Sequence, residues 1–533
     1  MAIFRWAFDS KSGPTDRFIP RWIFLRCLGL IYFSAFYPLL FQIRGLIGPN
    51  GILPAQVYLE AVAQSNFSDV RYWFAPTLLW LSTGPHMLLA ICWVGLIASL
   101  ALAFNFWPRG MLVLCFICYL SFIAAAQDFS SYQSDGMLLE AGFISLFLAP
   151  SGFRPRWGEH APPSRASLFL LQWEWFRIYF ESGMVKLASG DPQWRHLTAM
   201  DEYYQNGPLP TWVGWYVQHA PHWFHWSAAL GTLAMELGLV WMLFLPRRFR
   251  IVCFYIVTLW QLPVIITANY TFLNYLVLVL GFLLLDDRLL APHLGRRFSV
   301  KGRPARVSEA RLEETPYEDD LTSRLRRHFN ALKLALTSVT LTWIFYVTTV
   351  QLIWIVWPMA PFPRSPVALL EPFRVANQYG LFATMTRGRY EIEFQGSNDG
   401  QNWTPYPFTY KPQKLDEAPK LYAPYQPRLD WNLWFASLGT YRDNMFVVSA
   451  EERLLNNDRQ VLALFAGNPF TTSPPKQVRA VMWQYWFTSM AEKHATGNWW
   501  RREYLGTYAP TLTLDESGKL VVLAWPTITI PKQ

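Results

Sequence analysis

Cysteine is scarce in this chain, and recognisable catalytic motifs are absent. Five cysteines occur in 533 residues, at Cys27, Cys92, Cys115, Cys118 and Cys253, each inside an apolar run where it behaves as a small hydrophobe. None follows Cys253, so everything after it folds without disulfides and offers no pair for thiol exchange. Cys115-Phe-Ile-Cys118 has C-x-x-C spacing, but no second pair, histidine or βαβ pattern accompanies it, so neither a zinc nor a redox role is expected. There is no G-x-S-x-G elbow, H-E-x-x-H, P-loop or G-x-G-x-x-G, which removes the commonest hydrolase, metalloprotease and nucleotide-binding readings. With no catalytic motif identified, a non-enzymatic role is the first expectation, with an enzyme left open, and no cofactor is assigned. Charge is thin as well, at 16% of residues.

What fills the space is apolar and aromatic. Hydrophobic residues make up 52% and aromatic residues 17%, with 27 Trp and 25 Tyr, as suits a polytopic membrane protein with many bilayer interfaces. Spanning the hydrocarbon core takes about 20 apolar residues as helix. Runs of that kind are Trp22 to Ile43, Met87 to Phe106, Met111 to Ala126, the shorter Gly136 to Leu148, Leu168 to Leu187, Trp226 to Leu245, Ile251 to Ala268, Phe272 to Leu285 and Leu334 to Trp357. No cleavable signal peptide is expected, because the residues before Trp22 are polar and the first apolar run is long enough to span. The net charge of +9 resides in loops beside these runs, which is a topology signal rather than a nucleic-acid footprint. With nine spans, the basic clusters around Arg17 to Arg26, Arg109, Arg154 to Arg165, Arg247 to Arg250 and Arg288 to Lys333 all fall on the cytoplasmic side.

The expected architecture is a mainly helical membrane domain of eight or nine spans followed by a β-rich, sandwich-like soluble domain. Its parts are a helical domain over 1–285, a basic cytoplasmic linker over 286–333, a last span over 334–358 and a β-rich extracytoplasmic domain over 359–533. Arg389 to Gln395 alternates polar and apolar positions and runs into the turn Ser397-Asn398-Asp399-Gly400; similar patterns recur at Val478 to Phe487 and Leu520 to Ile530, and Glu451 to Phe465 reads as helix.

The fifth run carries charges that lipid would not tolerate. Glu174, Arg177 and Glu181 lie on one stripe of that helix, Lys186 follows them, and Asp135, Glu140 and Glu236 sit at similar depth in neighbouring runs. Two readings stay open: a polar membrane cavity for a substrate or client segment, and structural ion pairs that lock the helices, with Glu174 and Arg177 satisfying each other at i, i+3. The loop after Ser189-Gly190-Asp191-Pro192 is crowded with aromatics, and Trp194, Arg195, Tyr203 and Tyr204, with Trp431 and Trp434 further on, form a candidate contact surface for a client. His219, His222 and His225 recur at a spacing of three, but without a neighbouring cysteine or carboxylate pair no metal site is assigned. The sequons at Asn66, Asn269 and Asn402 all fall on the outer side of this topology.

Six blocks then carry a resemblance: GLIGPNGILPA at Gly45 to Ala55, YQSDGMLLEAGF at Tyr132 to Phe143, FRIYFESGMVKLASGDPQWRHLTAM at Phe176 to Met200, ANYTFLNY at Ala268 to Tyr275, NQYGLFATMTRGRYEIEFQGSNDGQNW at Asn377 to Trp403 and APYQPRLDWNLWFASLG at Ala423 to Gly439. With them the chain resembles the lipase maturation factor family. The resemblance implies a membrane-bound factor assisting the folding or assembly of exported proteins, lipases above all, with the bilayer and an exported client as partners and no nucleic acid. In animals the family resides in the endoplasmic reticulum membrane. The compact length here points to a bacterial inner membrane with the C-terminal domain in the periplasm, the lumen being its eukaryotic equivalent. A more distant similarity to the membrane part of vitamin K-dependent carboxylases leaves an intramembrane enzyme as the alternative, with Lys186 as base. A reporter active only outside the cytoplasm is expected to be active when fused after Gln533 and silent when inserted near Arg303; the reverse pattern would overturn the span count.

Overall fold

The computed structural model describes residues 2–130, 132–294 and 321–528. Most of the linker expected over 286–333 lies outside them. Every apolar run of the sequence is helical: α1 Phe18–Ile47, α2 Pro85–Ala103, α3 Pro108–Ile123, α4 Gln133–Leu148, α5 Arg165–Ala188, then a short α6 Trp212–Gln218, α7 His222–Phe244, α8 Arg247–Thr267, α9 Leu273–Leu284 and α10 Leu321–Val356. Five of these, α1, α2, α7, α8 and the part of α10 from His328, are long and apolar enough to cross a membrane; α3 and α9 are shorter apolar helices. α4 and α5 form the buried centre. With 16 residues α4 extends only about 24 Å at 1.5 Å per residue, less than the hydrocarbon thickness. That shortfall is tolerated because protein rather than lipid surrounds it. α5 packs against α4, α7, α9 and α10 and is the hub of the bundle.

The two ends of the bundle differ in kind. At one end the basic clusters meet: Asp287 caps the start of α1 through Phe18 N at 3.1 Å and Ile19 N at 2.8 Å, Arg21 donates to Ala161 O at 2.6 Å and Trp157 O at 2.8 Å, Arg109 donates to Ala149 O at 2.8 Å, and Arg247 pairs with Asp286. At the other end Gln42 of α1 donates to Gln426 O at 3.0 Å, so the C-terminal module sits opposite the basic clusters.

The module contains α11 Arg428–Ala436, α12 Phe446–Leu455 and one antiparallel sheet: β1 Arg389–Ser397, β2 Thr404–Pro405, β3 Gln477–Phe487, β4 Trp500–Thr507, β5 Thr511–Leu514 and β6 Leu520–Ala524. Its order is β2-β1-β3-β5-β6, with β4 on the other half of β3. The described strands thus make a single sheet, where the sandwich-like expectation had two. Helix is confined to α12 and a turn at Arg459–Leu462 within the expected Glu451 to Phe465. β1 is buried on both faces. Tyr390, Ile392 and Phe394 enter a hydrophobic core that is continuous with that of the helices, while the polar face binds loops: Arg389 donates to Gln205 O and Pro208 O at 3.1 Å each, and Glu391 pairs with Lys411 at 2.9 Å.

Asp430 of α11 is wholly buried and accepts from Lys411 N at 3.2 Å. Burial pushes its carboxyl up from 3.8 to about 6, against the opposing pull of Lys411. The folded state therefore holds a proton that the unfolded chain releases, and the stabilisation, complete below pH 3.8, is lost as pH rises through 6. Unfolding of the purified chain is expected to become easier by up to ~3 kcal/mol across that window. Asp430→Asn should remove this slope, as denaturant titrations at several pH values would check.

Candidate functional site

The residues singled out in the sequence divide between two buried ion clusters and one cavity. The first cluster joins the module to the bundle. Arg428, at the start of α11, grips Asp135 of α4 with both nitrogens, Nη1 to Oδ2 at 2.8 Å and Nη2 to Oδ1 at 3.0 Å. Its remaining donors reach Phe129 O at 2.6 Å and the Tyr119 hydroxyl at 3.1 Å, and its backbone N–H donates to Gln42 Oε1 at 2.8 Å. Tyr132 closes the site by donating to Asn432 Oδ1 at 2.8 Å.

The second cluster lies deeper, between α4 and α5. Arg177 pairs with Glu140 across the helix contact and with Glu181 at 3.8 Å one turn on, and donates to Asn377 O at 2.6 Å. The segment 377–380 completes it from the module side: Asn377 N and the Tyr379 hydroxyl donate to Glu140 Oε2, both at 2.9 Å, and Tyr379 N donates to Glu181 Oε2 at 2.6 Å. Gly136 is required here, because a Cβ on it would stand 2.8 Å from Asn377 Oδ1. The Glu174–Arg177 pair expected from their spacing does not form. Arg177 turns to Glu140 on the neighbouring helix instead, and the buried Glu174 carboxylate forms no salt bridge among the described residues. Buried ion pairs of this kind hold only where further hydrogen bonds satisfy them, and here residues 237 positions from Glu140 supply those bonds.

Lys186 and Glu236 stand apart from both clusters. Lys186 Nζ donates to both Glu236 oxygens at 2.8 Å, linking α5 to α7 where Gly183 lets the helices approach closely. An ammonium so engaged acts as a paired cation, which gives the alternative of an intramembrane base no geometric support. This pair borders a cavity of about 980 Å³ walled by α5, α7, α8 and α9 and roofed by the loop after Gly190, by Phe382 and by α11. α8 carries a π-helical turn at Phe254–Thr258 just before its cavity-lining residues.

Five of the six residues expected to meet a client, Trp194, Tyr203, Tyr204, Trp431 and Trp434, line this cavity together with Lys186 and Glu236. They face inward rather than outward: Trp194 is 3% exposed and Trp434 8%. The Trp194 indole donates to Phe382 O at 2.9 Å and that of Trp434 to Asn206 O at 3.0 Å. Arg195 alone is exposed and outside the cavity. Sequence reasoning missed Arg428, Asn377 and Tyr379, although all three lie in the blocks that carried the resemblance.

The three histidines diverge. His219 bridges Trp215 O at 2.7 Å and Thr488 O at 3.0 Å, His222 meets Asp201 at 3.0 Å, and His225 is buried. Asn269 is no glycan acceptor: 2% exposed, its amide donates to Leu209 O at 3.0 Å and Lys420 O at 2.8 Å and accepts from Tyr422 N at 2.6 Å. Asn66 and Asn402 are exposed.

The family model described as the lipase maturation factor transmembrane domain matches residues 19–292, and that described as the lipase maturation factor C-terminal domain matches residues 375–510. Lipase maturation factor 2 of Gallus gallus is 32% identical over 93% of this chain and 82% of its own length. Lipase maturation factor 1 of Bos taurus is 33% identical over 95% of this chain and 91% of its own length, and that of Homo sapiens 31% identical over 93% and 88%. No solved structure matches the chain. The chain belongs to the lipase maturation factor family and is an integral membrane protein.

Arg428→Ala strands Asp135 without its partner in a dry site and is expected to lower stability by about 3–5 kcal/mol. Replacing the exposed Arg44 in the same way should change it by less than about 0.5 kcal/mol. Thermal unfolding of the detergent-solubilised variants, followed by intrinsic tryptophan fluorescence, compares the two.

Proposed function

We propose that this chain is a membrane-anchored maturation factor that holds exported clients, lipases first among them, on the non-cytoplasmic side while they fold or assemble. The client class is supported by the names of the relatives. The side is supported by the gathering of basic clusters at the end of the bundle opposite the module, which the positive-inside rule assigns to the cytoplasm. On this reading the module faces the lumen of the endoplasmic reticulum or the periplasm, whichever the host has.

The observation that carries a holding role is the outer edge of the sheet. β6 is the last strand in the order and pairs only with β5 among the described strands. Its side chains are apolar and exposed, Val521 at 37% and Leu523 at 50%, with Trp525 beside them at 65%. Proteins normally blunt such edges because an unpaired apolar strand recruits another strand. An extended segment of an incompletely folded client would add here by main-chain hydrogen bonds, its own apolar side chains against Val521 and Leu523. β6 lies beyond the matched residues 375–510, which suits a contact that selects clients rather than one that the fold requires.

The test uses cells that lack the chain and secrete a lipase, with secreted specific activity as the readout. Wild-type chain should restore activity, and Val521→Lys with Leu523→Lys should fail to do so while accumulating normally, since both positions are exposed. Full restoration by the double variant would move the client contact elsewhere. Unchanged specific activity on deletion, across all lipases the host exports, would remove the client class.

A further inference from the structure

The cavity has a mouth, and the mouth opens on the exposed apolar surface of two helices long and apolar enough to cross a membrane. Phe224 and Ser227 on α7, and Pro263 and Ile266 on α8, line the cavity and are exposed at the same time. Their exposed neighbours are Trp223, Trp226, Leu230 and Leu262, the apolar surface that membrane-crossing helices turn to acyl chains. A ligand would enter laterally, from lipid.

The interior states what that ligand must offer. Its walls are mostly aromatic and aliphatic, and its volume of about 980 Å³ lies at the upper end of the roughly 300–1,000 Å³ usual for small-molecule sites. Among the lining donors without an acceptor in the described residues are the Asn274 amide nitrogen, in a side chain 4% exposed, and the Trp431 indole N–H, 7% exposed. A buried donor left unpaired is costly. Among the described residues Lys186 is the only lining cation, and its two 2.8 Å contacts to Glu236 leave no unpaired lining cation there for a carboxylate. The acceptor that completes the site is a neutral carbonyl oxygen on a long apolar body.

We propose that the cavity binds an esterified acyl lipid, admitted from the bilayer between α7 and α8, with its chains along the aromatic wall and an ester carbonyl accepting from Asn274 or Trp431. The lipid source is either a neutral acylglycerol or a membrane phospholipid whose headgroup stays at the mouth.

Gly231 provides a clean test. It lines the cavity from α7, and a Cβ built on it meets no atom within 4 Å, so a larger side chain fills the cavity without displacing packing. Glycine is also among the weakest helix formers, so replacing it should not weaken α7. The full chain, reconstituted in bilayers, is photolabelled in separate reactions with diazirine-bearing diacylglycerol, phosphatidylcholine and free fatty acid, and the labelled peptides of α7 and α8 are quantified by mass spectrometry. At least one ester probe should label wild-type protein, with labelling down by roughly tenfold in Gly231→Phe and unchanged in Ala234→Phe, whose exposed site lies outside the cavity lining. Which ester probe labels identifies the source. Equal labelling of wild type and Gly231→Phe by both ester probes, or labelling sensitive to Gly231→Phe from the fatty acid alone, would overturn the proposal.

Discussion

A charge taken out of water must find its partners inside the protein, and the rest of this structure depends on how that demand is met. Asp135, Glu140, Arg177, Glu181 and Arg428 are all at most 1% exposed. The helical region does not satisfy them alone: the guanidinium that neutralises Asp135 comes from Arg428, and the donors that complete Glu140 and Glu181 come from residues 377–379. Replacing a buried ion pair by apolar groups is often neutral in energy, whereas removing one partner is strongly destabilising. The clusters therefore act as a latch: they add little to stability when complete and penalise any arrangement in which the module is displaced.

That latch explains why the polar face of β1 is buried. Once Arg428 and the 377–380 segment are docked, β1 follows directly and its polar side chains meet protein instead of water, Arg389 the loop after Gly190 and Glu391 the Lys411 ammonium. Arg389 then serves the carbonyls of Gln205 and Pro208, which that loop would otherwise leave unsatisfied on burial. Asn269 does the same for Leu209 and Lys420 through its amide nitrogen, while its amide oxygen accepts from Tyr422 N. Bundle, loop and module share one hydrophobic core as a consequence.

The apolar runs were legible because length and composition alone identify a helix that can cross a bilayer, and all nine are helical. The charged stripe of α5 was legible as something lipid would reject. Its partners were not, because they lie far along the chain: Arg428 is 293 residues from Asp135 and Asn377 is 237 from Glu140. Helical periodicity ranks neighbours on one helix, so it suggested Glu174 with Arg177, and a carboxylate arriving from α4 displaced that choice. The aromatic residues after Gly190 read as a contact surface for a similar reason. Composition shows that such rings need burial, but not whether a client or the protein's own α11 provides it. β6 read correctly as a strand, but only the sheet order makes it an edge.

The cavity follows from the same division of labour. α5 and α7 are drawn together by the Lys186–Glu236 pair and by the absence of a side chain at Gly183, while the roof is held by tryptophans whose indoles are tied to Phe382 O and Asn206 O. Those ties keep bulky rings from collapsing into the space below. The space they leave, about 980 Å³, opens between α7 and α8 on apolar surface, so it is a lined pocket continuous with what surrounds those helices rather than a sealed hole in a core. Water needs two to four polar partners per molecule, and most of this wall is apolar. Acyl chains need none, which is why the lipid proposed for this site suits the wall that α7 and α8 present.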